Sequence, residues 1–185
     1  SRLALKPVHE GKRRGIFVVC AGGAFLFKSS NEAKPVAEYF YRAGINVAIL
    51  DYHVDPAKQK DSDKLDVRIS AGEDGLAAIR YLRANARRWH IDPERLGIWG
   101  TSSGGNTSLL VGLTADDPRY EDGSYATESD AVSFVVSCFP PTDMMEAIDA
   151  FGNEDDPFRL YYFGPFAAVV GATHETGLSD DVRRR

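Results

Sequence analysis

Leu96-Gly-Ile-Trp-Gly100-Thr-Ser102-Ser-Gly104-Gly-Asn106 is the stretch from which the rest of the chain can be read. Residues 96–99 form a compact apolar strand, residues 106–114 are predicted to be a helix, and G-x-S-x-G fills the space between them. A turn that sharp forces its central residue into a strained backbone and brings the neighbours two positions away into close approach. Gly100 and Gly104 then stand where a side chain would clash, and Ser102 projects its hydroxyl above the strand ends. The helix that follows aims its N-terminal N–H groups at the same place, which favours developing negative charge. The competing reading is a glycine-rich loop that cradles phosphate, but no Lys follows Gly104 as the P-loop pattern requires.

Working outward, residues 15–20 are a β-branched and aromatic strand closed by Ala21-Gly22-Gly23. Residues 31–43 read as a helix with Val36, Ala37 and Phe40 on its apolar face and Gly44 at its C-terminal cap. Residues 45–50 read as the next strand. After a charged loop over 55–66, Ile69, Leu76, Ile79 and Leu82 recur at helical spacing in a segment ending near Arg88. Residues 131–137 form a fourth, continuously apolar strand. The predicted order is βαβαβαβ, and apolar strands joined by helices imply a doubly wound, mostly parallel α/β sheet covered on both faces. The acidic stretch 116–130 has few apolar residues and is expected to be a solvated loop.

A chain of 185 residues with 43% hydrophobic content is sized for one core, so 1–185 reads as a single domain. Its net charge of -5 is spread over mixed signs, without the basic patch that nucleic acid or an anionic membrane surface attracts. The expected partner is a small molecule. No apolar run approaches the roughly 18 residues of a spanning helix, which favours a soluble, cytoplasmic chain. Cys20 and Cys138 lie in no CxxC or His-rich setting, so neither metal nor cofactor is expected. The predicted strands put these two cysteines on opposite sides of the Ser102 strand, too far apart for a disulfide.

The glycine turn at 20–25, Asp51-Tyr52 after the second strand, Asp74 in the second helix, Ile91-Asp-Pro-Glu-Arg95 and the Ser102 turn together resemble the esterase and lipase branch of the α/β hydrolases. The likeness is nearest to hormone-sensitive-lipase-like and carbohydrate-acetyl-esterase-like members. It implies that Ser102 is the nucleophile of an elbow and that the backbone N–H groups of Gly23, Ala24 and Ser103 form the oxyanion hole. The family often carries His-Gly-Gly-Gly in that loop, whereas this chain has Ala21-Gly22-Gly23-Ala24 and so lacks the bracing His.

A serine needs a base to take its proton and a carboxylate to orient that base. The fold's chain order is Ser, acid, His, and His174 is the only histidine after Ser102. No strong strand leads into His174 or into Asp180 and Asp181, while His9, His53 and His90 precede the elbow and read as surface or loop residues. The resemblance implies that the triad Asp and His follow Arg185, with Pro140-Pro141-Thr142-Asp143 and the aromatic segment 158–166 similar to what precedes that part. The expected activity is hydrolysis of short-chain acyl esters, including acetyl esters of carbohydrates. A serine peptidase of the same fold and a noncatalytic binding protein remain as alternatives.

Overall fold

The structure is a computed structural model that describes residues 2–6, 12–54 and 67–142. Five strands, β1 (Arg2–Lys6), β2 (Arg14–Cys20), β3 (Asn46–Asp51), β4 (Ile91–Thr101) and β5 (Phe134–Cys138), form one sheet in the order β1-β3-β2-β4-β5. Four run parallel and β1 pairs antiparallel with β3 along the edge. Helices α1 (Ser30–Arg42), α2 (Val67–Ala84) and α3 (Ser102–Leu113) make the crossovers.

Strand alternation divides the core in two. One face carries Ile16, Val18, Cys20, Leu50, Leu96 and Ile98, fully buried with Leu76, Ile79 and Leu82 of α2 and Val111 of α3. The opposite face sets Val19, Ala21, Ile49 and Trp99 against Ala33 and Val36 of α1. Phe40, also on α1, stacks on Phe17 with ring centroids 4.5 Å apart. The expected doubly wound α/β sheet, mostly parallel and with helices on both faces, is the fold observed. Gly44, at φ 78, follows α1 as a left-handed residue should.

Several boundaries differ from the sequence expectation. β1 was not anticipated, so the order begins with two strands. β4 extends back to Ile91 through Pro93, and its pairing with β2 shifts register between Arg14 and Ile16, an irregularity of the kind a residue without an N–H tolerates. α2 stops at Ala84 rather than near Arg88, and β5 spans 134–138 rather than 131–137. α3 starts at Ser102 itself, four residues before the expected position, so strand and helix meet with no residue between them.

The acidic segment is largely exposed, as expected of a solvated loop, but it carries an anchor the sequence did not announce. Residues 121–127 are exposed, but the segment is fastened to α2 by Arg80, whose side chain is 1% exposed. Arg80 donates from Nη1 to Asp130, from Nη2 to Asp122 Oδ1 at 2.8 Å and from Nε to the Ser124 carbonyl at 2.9 Å. Asp130 also accepts the Asp116 N–H at 2.6 Å. Burial alone would raise the Asp122 carboxyl, but the Ser124 N–H and the Arg80 charge outweigh it and hold the group below its usual range. Arg83 adds hydrogen bonds to the Ser129 and Ala131 carbonyls.

Candidate active site

The C-terminal ends of β2, β3 and β4 converge on Ser102, the position where open α/β sheets present their ligand sites. Ser102 has φ 49, a left-handed value that a serine adopts only where its surroundings impose it. The imposing contacts are backbone. A Cβ at Gly100 would lie 2.0 Å from the Gly104 carbonyl oxygen, and one at Gly104 would lie 2.2 Å from the Cys20 oxygen. Glycines at these two places let α3 begin directly on the end of β4 and against the end of β2. Both were singled out in the sequence for this steric reason.

The loop after β2 holds three consecutive left-handed residues: Gly23 (φ 142), Ala24 (φ 53) and Phe25 (φ 61). Its internal bonds run from the Leu26 and Phe27 N–H groups to the Gly23 carbonyl, at 2.9 and 3.2 Å, and from the Ser29 N–H to the Gly22 carbonyl at 2.9 Å. Gly22 abuts the elbow so closely that a Cβ there would lie 3.0 Å from Ser102 Cβ. The Gly22 N–H is already committed, to Thr101 Oγ1 and to Glu32 Oε2, both at 3.2 Å. Gly23 and Ala24 follow it at the edge of the site. Ser103 stands in the first turn of α3, where N–H groups have no intrahelical acceptor, and its side chain is buried.

Beneath the loop lies Tyr52, 1% exposed, which donates its hydroxyl to the Ala21 carbonyl and lies 3.4 Å from Ser103 Oγ. Burial pushes the Tyr52 phenol well above its ordinary pKa, so it stays a neutral donor. Burial likewise pushes the Cys20 thiol up to about 12. Cys20 and Cys138 are free, on strands that flank β4 on either side as the sequence implied. Beside the site, Arg2, Lys28, Asp51, Tyr52, His53 and Val54 line a cleft of about 280 Å³, with Lys28 paired to Asp51 at 2.5 Å.

Among the described residues no histidine hydrogen-bonds to Ser102. His90 immediately precedes β4, whose eleven residues at roughly 3.3 Å each separate it from Ser102. His53, just beyond β3, is exposed and tied to Asp74 Oδ2 through both its N–H and Nδ1, at 2.7 and 2.8 Å. His9, His174, Asp143, Asp180, Asp181 and the segment 158–166 lie outside the described residues. No group of three or more His, Cys, Asp or Glu residues among those described could hold a metal. No described helix is long and apolar enough to cross a membrane.

Sequence reading missed Thr101, Glu32 and the Tyr52 hydroxyl as parts of the site. Thr101 donates to Glu32 across 69 residues of chain, and no local spacing signals such a pair.

Known proteins resemble this chain. The chain is 36% identical over 107 residues to an esterase, LipC, of Mycobacterium tuberculosis, covering 57% of this chain and 25% of the relative. It is 28% identical over 132 residues to endo-1,4-beta-xylanase B of Butyrivibrio fibrisolvens, covering 71% of this chain and 20% of that protein. The chain thus spans about a fifth to a quarter of the length of these curated relatives. A solved structure of a truncated carbohydrate esterase from gut microbiota superposes with a TM-score of 0.61 at 25% identity, covering 78% of this chain and 52% of that one. The BD-FAE family model matches residues 3–159, from the edge strand through the elbow and beyond β5, and the chain therefore belongs to the BD-FAE family, whose domain is α/β-hydrolase-like.

Proposed function

We propose that this chain carries the nucleophile of a serine carboxylesterase. The observation that carries the reading is Ser102 at φ 49 on a strand-to-helix junction, between the glycine loop after β2 and the N-terminus of α3. Ser102 Oγ attacks the acyl carbon while a base takes its proton, and the carbonyl becomes an alkoxide. The N–H groups of Ser103, Gly23 and Ala24 receive that alkoxide, helped by the positive end of the α3 dipole. Collapse expels the alcohol, which regains the proton, and water then releases the acyl group from Ser102. The base is assigned to a histidine outside the described residues, because His53 and His90 are held elsewhere.

Short acyl esters, with acetyl groups on carbohydrates foremost, are the proposed substrates. Support comes from the esterase, xylanase and carbohydrate-esterase names of the similar proteins. No cofactor is required by this chemistry. The test is p-nitrophenyl acetate hydrolysis by the full-length gene product and by Ser102→Ala, with an active-site phosphonate as a label. Loss of turnover and of labelling in Ser102→Ala is the expected result. Equal rates, or no label on Ser102 in the wild type, would leave a noncatalytic scaffold as the better description.

A further inference from the structure

The loop that is to hold the oxyanion carries two non-glycine residues in succession, Ala24 and Phe25, at left-handed φ, so contacts from outside it must fix it. Its internal hydrogen bonds tie the loop to itself and set only its shape. Its position relative to Ser102 depends on bonds that leave the loop: Lys28 near its end donates to the Tyr52 carbonyl at 2.9 Å, and two anchors act at its start. Tyr52 holds the Ala21 carbonyl from below. On the other side, the Gly22 N–H is shared between Thr101 Oγ1 and Glu32 Oε2, and the Thr101 hydroxyl donates to the same carboxylate oxygen.

This small ring joins three elements: the end of β2, the first turn of α1 and the last residue of β4 before the nucleophile. An ionised carboxylate can only accept, so it obliges the Thr101 hydroxyl to donate and to turn a lone pair toward Gly22. Glu32 lies in the first turn of α1, where the helix dipole favours negative charge. Hydrogen bonds to a charged acceptor are also about twice as strong as neutral ones. The carboxylate oxygen lies 2.4 Å from where a Gly22 Cβ would be, so the glycine is what lets it in.

We propose that Glu32 is a positioning residue whose carboxylate, acting with the Thr101 hydroxyl on the Gly22 amide, holds the Gly23 and Ala24 donors in register with Ser102. The assignment rests on the esterase reading. It treats Glu32 and Thr101 as one device that touches no substrate. Misplacing an oriented group by about 1 Å is enough to lose about 10²-fold in rate.

The experiment uses the full-length gene product with p-nitrophenyl acetate, comparing Glu32→Ala, Thr101→Val, the double variant, the conservative Thr101→Ser and the control Glu38→Ala. Glu38 is an exposed acid on the same helix, paired with Arg42 at 3.6 Å. Glu32→Ala and Thr101→Val should each lower kcat by roughly 10- to 100-fold with KM within about twofold. The double variant should be no worse than the poorer single one, because residues acting as a unit are not additive. Thr101→Ser should recover kcat to within about threefold, since its hydroxyl is kept, and Glu38→Ala should be unchanged. Exchange of the Gly22 amide hydrogen, followed by NMR, should accelerate in Glu32→Ala while the Tm stays within a few degrees.

Retained kcat in Glu32→Ala and Thr101→Val, with Ser102→Ala inactive, overturns the brace and leaves the esterase intact. Additive losses in the double variant overturn it too, as does unchanged Gly22 exchange. A wild-type protein that neither turns over ester nor labels at Ser102 instead removes the reading on which the brace rests.

Discussion

Replacing Arg80 by Met tests whether the acidic segment is bound to the core or merely rests on it. Arg80 is 1% exposed and Asp130 is 5%, so the guanidinium and its main partner are both out of water. The substitution leaves the Asp130 carboxylate buried, with the Asp116 N–H as its remaining hydrogen bond. Removing one partner of such a pair costs about 3–5 kcal/mol, because the survivor is an uncompensated buried charge. Asp122, at 43% exposure, regains water and adds at most about 1 kcal/mol. At roughly 2–4 °C per kcal/mol for a chain of this size, the Tm should fall by about 10 °C. Urea unfolding followed by circular dichroism measures the loss directly, as a lower midpoint at unchanged slope. The partner change, Asp130→Leu in the Arg80→Met background, should recover part of the loss. A loss in Arg80→Met below about 1 kcal/mol would refute the reasoning and show that the segment merely rests on the core.

Gly104→Ala places a methyl 2.2 Å from the Cys20 carbonyl and should destabilise the protein by about 1–3 kcal/mol while moving Ser102, so thermal melting and esterase assays should fall together. Tyr52→Phe should lose about 1 kcal/mol from the bond to the Ala21 carbonyl, measured by urea unfolding. Cys20 should resist Ellman's reagent in the native state and react once the protein unfolds. Its folded pKa is raised, so the stability that goes with the protonated thiol is intact below about pH 9 and lost as pH rises toward about 12. Cys20→Ala should flatten that alkaline decline. Asp122 has the opposite sign: its folded pKa is lowered, so its contribution is present above the usual carboxylate range and fades below about pH 4, and Asp122→Asn should blunt the acid limb of a stability profile.

The elbow could be read from sequence because its constraint is local and steric: two glycines at fixed spacing around a serine, a strand before and a helix after. The central strands were equally legible, since Val18, Leu50 and Ile98 lie in apolar runs that only a doubly covered sheet buries. The start of α3 was not, because Ser102-Ser-Gly104-Gly has poor helix propensity and the helix is dictated there by close packing on β2. β1 escaped notice as five residues on an edge, paired with a strand more than forty residues away. Arg80 illustrates the commonest failure. Nothing in an acidic loop announces which of its carboxylates will be buried, since the deciding partner sits 50 residues earlier on a helix whose apolar pattern it interrupts. Glu32 was hidden for the same reason, being on its own sequence evidence an ordinary acid in a helix's first turn.

The absence of any linker between β4 and α3 has a consequence for how such a site can diversify. Ser102 takes its coordinates from two rigid bodies at once, and both are clamped by backbone contacts that admit only glycine. Its position is therefore an inherited property of the core, not an adjustable one. Strand-end loops other than the one after β2, which is itself tied to the elbow, can change in length and chemistry around a fixed Ser102, so on the esterase reading new substrates can be tried without moving it. The converse is a fragility, because no surface change can compensate for a shift of α3 against β2.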